Sequence, residues 1–270
     1  MVVFPGCKIN LGLNVLEKRA DGFHNIETVF YGLKWQDALE VMELKTATDF
    51  DLELSGLNIG VLKKEDNILY KAYKLIAESY KIPPIKVFLH KNIPMGAGLG
   101  GGSSNAAFFM RLLNQKFSLT NPKNELLRLA AQLGSDCAFF IENSPVFATQ
   151  KGDVFENINL NLDSYHILVV YPGINSNTKE AYEGVVPNKP NRSIKEIILN
   201  EPIENWKTIL KNDFEKSIFK KYPEVEKLKN TLYDKGAIYA SMSGSGSACF
   251  GIFKEKPNVD FEKNYLWWLK

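Results

Sequence analysis

The chain lacks several features that would define its class and location. It has only three cysteines in 270 residues, Cys7, Cys137 and Cys249, and they lie far apart. This spacing excludes a disulfide framework and a metal-ligand cluster, and it favours a reducing compartment. No apolar run is long enough to cross a bilayer, and the opening segment breaks at Pro5-Gly6, too early for a signal peptide. We therefore expect a cytoplasmic protein, or a plastid protein that has lost its transit peptide.

The chain also lacks a surplus of either charge. Lysine and arginine number 33 and the acidic residues 31, which gives a formal net charge of +2. Because no long basic stripe is present, nucleic acid is disfavoured as a partner. Hydrophobic residues make up 45% of the chain, which at this length is enough for a core and two moderate lobes. A small molecule is the partner that we expect.

Alternating and helical patterns together predict an α+β fold. Period-two alternation predicts a half-buried strand over residues 7–16, with Lys8 and Asn10 on its polar face. Further strand patterns lie at 27–33, 39–44, 50–54, 85–90, 165–171, 237–241 and 248–253. Helical patterns lie at 67–79, after the glycines near residue 100, from an Asn121 cap with Pro122 as first helical residue, and at 179–183, 204–210 and 224–232. A polar stretch, 153–164, predicts the boundary between domains 1–155 and 156–270.

A glycine-rich segment at residues 94–107 lies between a strand pattern and a helix pattern. It reads Pro-Met-Gly-Ala-Gly-Leu-Gly-Gly-Gly-Ser-Ser-Asn-Ala-Ala. Glycine reaches positive φ cheaply and lets a ligand approach the backbone. Such a loop can turn several N–H groups toward one anion, and the following helix adds its free N–H groups and positive dipole end. The segment predicts a phosphate site.

Three other interpretations of this segment fit less well. The P-loop of ATPases ends in Gly-Lys-Ser/Thr, but here Ser103 follows Gly102 directly. The dinucleotide pattern G-x-G-x-x-G is formally met, but it requires an acidic residue about 20 residues later, at the end of a second strand. Residues 118–122 at that position read Ser-Leu-Thr-Asn-Pro, a loop and a helix start. A flexible linker is disfavoured because both flanking elements are apolar.

The loop resembles the Pro-x-Gly-x-Gly-Leu-Gly-Ser/Gly-Ser-Ser-Ala/Asn-Ala segment of the GHMP kinases, which include galactokinase, homoserine kinase and mevalonate kinase. The resemblance implies a two-lobed α+β fold, with a ribosomal protein S5 domain 2-like N-terminal lobe and a ferredoxin-like C-terminal lobe. It implies ATP with Mg²⁺ as co-substrate and no certain protein ligand for the metal. The implied ATP-binding residues are Asn67, Lys91, Pro94, Gly96, Gly98, Leu99, Gly100, Gly101, Gly102, Ser103 and Ser104.

Two further segments resemble the same family. Residues 5–11 resemble its Pro-x-Ala-Lys-x-Asn-Leu opening, with Gly6-Cys7 in place of the usual pair, and residues 134–137 resemble its Gly-Ala/Ser-Asp-Val/Cys-Pro, with Ala138 in place of proline. Alone, Lys8 is typical of a solvated surface charge and Asp136 of a turn or cap. The resemblance implies that Lys8 and Asp136 form a catalytic pair at the acceptor hydroxyl. Phosphoryl transfer depends mainly on placement and charge neutralisation, which a carboxylate and an ammonium supply.

Three more segments resemble parts of the same family, and one of them indicates a branch within it. Residues 241–248 form either a simple hairpin or the third GHMP glycine turn, whose N–H groups suit substrate phosphates. Residues 212–215, Asn-Asp-Phe-Glu, resemble a family segment Asn-Asp-Leu-Glu, and residues 19–24 resemble the Arg-x-Asp-Gly-Tyr/Phe-His of the kinases that act on 4-diphosphocytidyl-2-C-methylerythritol. In that branch a pyrimidine stacks on aromatic side chains and hydrogen-bonds a histidine. The implied substrate-binding residues are Asn10, Phe23, His24, Thr178, Tyr182 and Gly244.

The implied reaction is transfer of the γ-phosphoryl group of ATP to the 2-hydroxyl of that cytidine diphosphate, in the non-mevalonate isoprenoid route. Two alternatives stay open: another small-alcohol kinase, of the homoserine or mevalonate type, and a nucleotide-binding protein without catalysis. We expect a monomer or a weak homodimer.

Overall fold

A computed structural model describes residues 1–45, 48–57 and 63–270. Its strands are β1 (Val2–Val3), β2 (Cys7–Lys18), β3 (His24–Leu33), β4 (Ala38–Glu43), β5 (Phe50–Gly56), β6 (Ile85–Lys91), β7 (Val146–Thr149), β8 (Val154–Asn157), β9 (His166–Tyr171), β10 (Tyr239–Met242), β11 (Cys249–Phe253) and β12 (Leu266–Leu269). Its α-helices are α1 (Ile68–Ala77), α2 (Gly101–Lys116), α3 (Lys123–Leu133), α4 (Ser135–Glu142), α5 (Thr178–Glu183), α6 (Ile194–Asn200), α7 (Ile203–Ile209), α8 (Glu215–Lys221) and α9 (Pro223–Asp234).

The chain divides into two compact units, each built from separate segments. Unit 1 comprises Met1–Cys7, Leu33–Met95 and Gly100–Ser144, and unit 2 comprises Lys8–Gly32, Gly96–Leu99 and Pro145–Lys270. Because neither unit is continuous in sequence, the expected boundary between residues 155 and 156 stays a prediction.

Unit 1 joins one mixed sheet to a group of helices. The strand order is β1-β4-β6-β5, with β5 parallel to β6 and the other neighbours antiparallel. Strand β4 buries Leu39 and Val41 at alternate positions, as period-two patterning requires. Helix α2 contacts α1, α3 and α4, and its Phe109 ring meets Phe50 of β5 edge to face.

Unit 2 contains two sheets, with orders β2-β3-β7-β8 and β10-β11-β9-β12. In the first sheet β7 is antiparallel to both β3 and β8, and the second sheet is antiparallel throughout. The apolar run of β9 is buried, as its sequence predicted. Strands β10 and β11 pair on either side of the 243–248 segment, which confirms the expected glycine turn between two strands. The Trp267-Trp268 segment docks as β12 against β9.

The prediction of a half-buried opening strand is wrong. Strand β2 is buried on both faces, since Lys8 is 4% and Asn10 2% exposed beside the fully buried Ile9 and Leu11. Its polar face is turned inward and satisfied by hydrogen bonds. The alternation in the sequence therefore reflects one apolar face and one hydrogen-bonded face, and both faces are buried.

The start of α3 also differs from its prediction. The helix begins at Lys123 with Pro122 in the N-cap position and no side-chain cap, so Asn121 is not the capping residue. The backbone N–H and C=O of Asn121 bond the Asn114 side chain at 3.0 and 3.2 Å, and the Asn121 side chain is buried without a hydrogen bond to the first turn of α3. Helices α4, α6 and α8 had no expected counterpart. No helix of the described residues is long and apolar enough to span a membrane.

Candidate active site

The N-terminus of α2 is open for an anion. Gly100 occupies the N-cap position in the left-handed region, at φ 68°, and no side chain caps the helix. The first N–H groups of an α-helix have no partner within the helix, and they carry the positive end of the dipole. The Oγ of Ser104, in this first turn, is fully buried and has no hydrogen-bond partner among the described residues. Backbone donors and a buried hydroxyl suit a phosphate.

A buried ion pair links the segment before the glycine loop to helix α2. The Lys91 ammonium pairs with the Asp37 carboxylate and also donates to Asn105 Oδ1 at 2.9 Å. Asp37 accepts the backbone N–H groups of Asn92 and Ile93 at 2.7 and 2.8 Å. Burial lowers the pKa of Lys91, and the Asp37 charge opposes that shift. The network fixes the chain at the entrance to the glycine loop.

The first half of the glycine loop, Gly96–Leu99, belongs to unit 2 and is fastened to its neighbours there. Gly98 has φ +75°, and a Cβ on it would lie 3.0 Å from the Gly246 nitrogen and closer still to the Ser243 carbonyl oxygen. Ser243 Oγ donates to the Gly98 carbonyl at 2.9 Å. The carbonyls of Ala97 and Leu99 accept N–H groups of Ala248 and Lys8 at 3.1 and 3.0 Å. Only glycine fits at position 98.

Lys8 is held by a chain of hydrogen bonds across β2 and β3. Its Nζ donates to Asn10 Oδ1 at 2.5 Å, Asn10 Nδ2 donates to Thr28 Oγ1 at 3.0 Å, and Thr28 Oγ1 donates to the Gly12 carbonyl at 2.5 Å. The ammonium also lies 4.8 Å from the centre of the Phe30 ring. A buried ammonium in a fixed position is suited to neutralise a phosphoryl group.

Asp136 lies in the first turn of α4, directly after Gly134. Helix α4 contacts α2 within unit 1, and Ser103 of α2 lies near enough to the next residue, Cys137, to influence the pKa of its thiol. Burial raises the pKa of the Cys137 thiol to about 11, with Asp136 adding to the shift. The thiol is therefore neutral and serves in packing. Because Lys8 belongs to unit 2 and Asp136 to unit 1, their pairing stays a prediction.

The aromatic residues expected at the substrate lie on unit 2. His24 stacks on Tyr182, with ring centres 4.8 Å apart and planes 20° apart. Phe23 is 58% exposed, and the Lys151 ammonium lies 5.1 Å from its ring centre. Burial and the Lys18 charge lower the pKa of His24, so its neutral ring offers one donor and one acceptor. A pyrimidine between Phe23 and Tyr182 stays a prediction.

Three other residues expected at the site, Asn67, Thr178 and Gly244, have identifiable neighbours. Asn67 is the N-cap of α1, where its side chain accepts the Leu69 N–H at 2.9 Å. Thr178 Oγ1 lies 3.0 Å from Ser245 Oγ of the glycine turn. A Cβ on Gly244 would lie 3.1 Å from Asn10 Oδ1 and 3.5 Å from Lys8 Nζ. The turn therefore adjoins the Lys8 side chain within unit 2.

Two sequence comparisons place the chain among known proteins. Residues 67–143 match the family described as GHMP kinases N terminal domain, and residues 194–266 match GHMP kinases C terminal. A relative from Bacteroides fragilis named 4-diphosphocytidyl-2-C-methyl-D-erythritol kinase is 48% identical over 97% of this chain and 96% of its own. A Cytophaga hutchinsonii relative of the same name is 49% identical over 97% and 96%.

The chain belongs to the GHMP kinase family. Solved structures agree: a crystal structure of 4-(cytidine 5'-diphospho)-2C-methyl-D-erythritol kinase, 29% identical, aligns with a TM-score of 0.77 over 93% of this chain and 90% of that one. A homoserine kinase from Cytophaga hutchinsonii, 15% identical, aligns with a TM-score of 0.67 over 93% of this chain and 86% of that one, which shows the shared fold alone.

Sequence reasoning missed several residues that shape this kinase site. Asp37 was not expected there, because its partner Lys91 lies 54 residues away and no local pattern marks it. Asn105 and Ser243 lie inside the two glycine-rich segments, but the motifs did not show that their side chains bond Lys91 and the Gly98 carbonyl. Asn212 lay in a segment already noted for its family resemblance, and that resemblance was the available signal.

Replacing Gly98 by alanine should destabilise this kinase more than other glycine replacements do. Positive-φ strain and backbone overlap together are expected to lower the free energy of unfolding by about 2–4 kcal/mol. Gly236→Ala isolates the strain, because Gly236 has φ +93° with open space around it, and should cost about 1 kcal/mol. Gly102→Ala, helical and unobstructed, should cost nothing. Urea denaturation tests this, and equal losses for positions 98 and 236 would contradict it.

Breaking the buried Asp37–Lys91 ion pair should destabilise the protein. Asp37→Asn leaves a buried ammonium uncompensated, which should lower the free energy of unfolding by about 3–5 kcal/mol. Adding Lys91→Met removes the stranded charge and should restore more than half of that loss. Asp51→Asn removes an exposed partner of Lys86 in the same sheet and should cost less than about 1 kcal/mol. If the double variant loses the sum of both single losses in urea denaturation, the pair is not coupled.

Proposed function

We propose that this GHMP kinase transfers the γ-phosphoryl group of ATP to the 2-hydroxyl of 4-diphosphocytidyl-2-C-methyl-D-erythritol. The observation that carries the proposal is the Arg-x-Asp-Gly-Phe-His segment, which ends in His24 stacked on Tyr182 beside an exposed Phe23. Relatives of that name, 46–49% identical over nearly the whole chain, support the same acceptor. A neutral imidazole and flat aromatic rings suit a pyrimidine, which needs both stacking and edge hydrogen bonds.

The glycine loop and the start of α2 are the proposed ATP phosphate site. Gly98 and Gly100 hold positive-φ backbone conformations that residues with side chains rarely adopt, and the uncapped N–H groups of α2 supply donors. The described residues contain no group of three His, Cys, Asp or Glu side chains suited to a metal ion. Mg²⁺ entering with ATP is part of the same proposal, with the hydroxyls of Ser103 and Ser104 in the first turn of α2 as the oxygen atoms that could contact it. When bound, the metal neutralises phosphate charge.

The chemistry proposed for the side chains is a direct in-line transfer. Asp136 accepts the proton of the 2-hydroxyl as the hydroxyl oxygen bonds to the γ-phosphorus, and the bond from that phosphorus to the bridging oxygen of ADP breaks. Lys8, held by Asn10, offsets the charge that develops on the phosphoryl oxygens. ADP and the 2-phosphorylated acceptor leave. A monomer or weak homodimer acting in the cytoplasm is part of the same proposal.

The acceptor assay tests the substrate assignment. With [γ-³²P]ATP, we expect label in the cytidine acceptor with kcat/KM at least about 10³-fold above that for mevalonate or homoserine, since a site built for a polar base rejects acceptors that lack it. Comparable labelling of mevalonate or homoserine would assign a different small-alcohol kinase. Nucleotide binding without label in any acceptor would assign a non-catalytic binding protein.

The role of Asp136 is tested by an isosteric change. Asp136→Asn removes the proton acceptor and should lower kcat by about 10²–10⁴-fold, with the KM for ATP within about threefold of wild type because the ATP phosphate donors remain. Asp234→Asn, an exposed carboxylate at the end of α9, is the matched control and should leave kcat unchanged. Steady-state kinetics decide, and an Asp136 variant with wild-type kcat would exclude it as the base.

A further inference from the structure

The backbone carbonyls of the 242–245 turn are all occupied by groups of unit 2. Asn212 Nδ2 donates to two of them, Met242 and Gly244, at 2.8 Å each. The Ser243 carbonyl accepts the Gly246 N–H at 2.9 Å, and the Ser245 carbonyl accepts Ser176 Oγ at 2.8 Å. Each carbonyl of this turn therefore accepts at least one hydrogen bond from within unit 2.

The N–H groups of the same turn are differently placed. Ser243 donates to Ala248, but Gly244 and Ser245 donate to no group among the described residues. In a trans peptide the C=O and N–H point in opposite directions, so the Gly244 carbonyl held by Asn212 turns the Ser245 N–H the other way. Gly244, at φ +55°, gives the turn the curvature of an anion-binding concavity.

The position of these donors connects them to the chemistry. A Cβ built on Gly244 would lie 3.5 Å from Lys8 Nζ. The first of the two residues with an unpaired N–H group therefore lies next to the ammonium that is proposed to offset the phosphoryl charge. Backbone donors and an ammonium at one place favour a phosphate oxygen. A carbonyl turned into the same place would repel it.

The Asn212 side chain is buried, and all of its hydrogen-bonding groups are used within the protein. Its side chain is 3% exposed, its two N–H donors are used on the two carbonyls, and its Oδ1 accepts the Phe214 N–H at 3.0 Å. An amide is the side chain that supplies two donors and one acceptor at this size.

We propose that Asn212 is a positioning residue that holds the Met242 and Gly244 carbonyls, so that the turn offers its Gly244 and Ser245 N–H donors, next to Lys8, to the phosphoryl oxygens of the substrate. This inference rests on the proposed function, since it assigns the anion as the group in transfer. A turn that meets those oxygens mainly in the transition state affects kcat more than KM.

The decisive variant is Asn212→Asp, which keeps the shape but replaces the Nδ2 amide group, with its two N–H donors, by one carboxylate oxygen that repels both carbonyls. We expect kcat for the cytidine acceptor to fall about 10²-fold, the loss typical for oxyanion donors, with the KM for ATP within about threefold of wild type. Asn258→Asp, the same change at an exposed position of unit 2, should leave both constants unchanged. A purely structural role would lower the melting temperature and leave kcat per folded molecule unaltered.

Asn212→Ser keeps one donor without adding charge and covers the case in which the aspartate variant does not fold. Its kcat should fall about tenfold, between wild type and Asn212→Asp. A folded Asn212→Asp or Asn212→Ser variant with kcat within threefold of wild type would overturn the inference while leaving the proposed function intact. Wild-type protein inactive on the cytidine acceptor would refute the proposed function, and the inference with it.

Discussion

The close approach of two backbone segments at Gly98 is the constraint on which the unit 2 part of the site depends. A Cβ there would overlap the Ser243 carbonyl and reach the Gly246 nitrogen at 3.0 Å. Because the two segments touch through backbone, one glycine turn sets the path of the other. Ser243 adds a hydrogen bond to the Gly98 carbonyl, and the next loop residue, Leu99, receives the Lys8 N–H. The conformation of the loop and the position of the lysine are thus set together.

Both units balance the cost of burying charge with specific partners. In unit 1 the Lys91 ammonium would be costly without Asp37 and Asn105. In unit 2 the Lys8 ammonium donates to Asn10, which Thr28 holds in turn. Fully bonded polar groups of this kind keep rigid positions. Rigid positions matter in phosphoryl transfer, because catalysis there is placement and charge neutralisation more than covalent chemistry.

Local patterns predicted the elements and motifs but not the contacts between distant segments. Strand β9, the glycine turn between β10 and β11, and the family itself followed from short stretches of sequence. The burial of Lys8 did not, because period-two alternation does not distinguish water from an internal network as the environment of a polar face. Asp37 carried no signal either: its partners, Lys91 and Asn105, lie 54 and 68 residues away and meet it only in the folded unit. Motifs identify the chemistry, and tertiary packing decides which neighbours hold it.

A crystal structure with the cytidine acceptor and a non-hydrolysable ATP analogue would show most directly whether the 242–245 turn presents its N–H donors to phosphoryl oxygens beside Lys8. We expect a phosphate oxygen within about 3.2 Å of the Ser245 nitrogen, with Asn212 still bonded to the Gly244 carbonyl. A Gly244 carbonyl turned toward the phosphates, or a turn that contacts no phosphate oxygen, would contradict it.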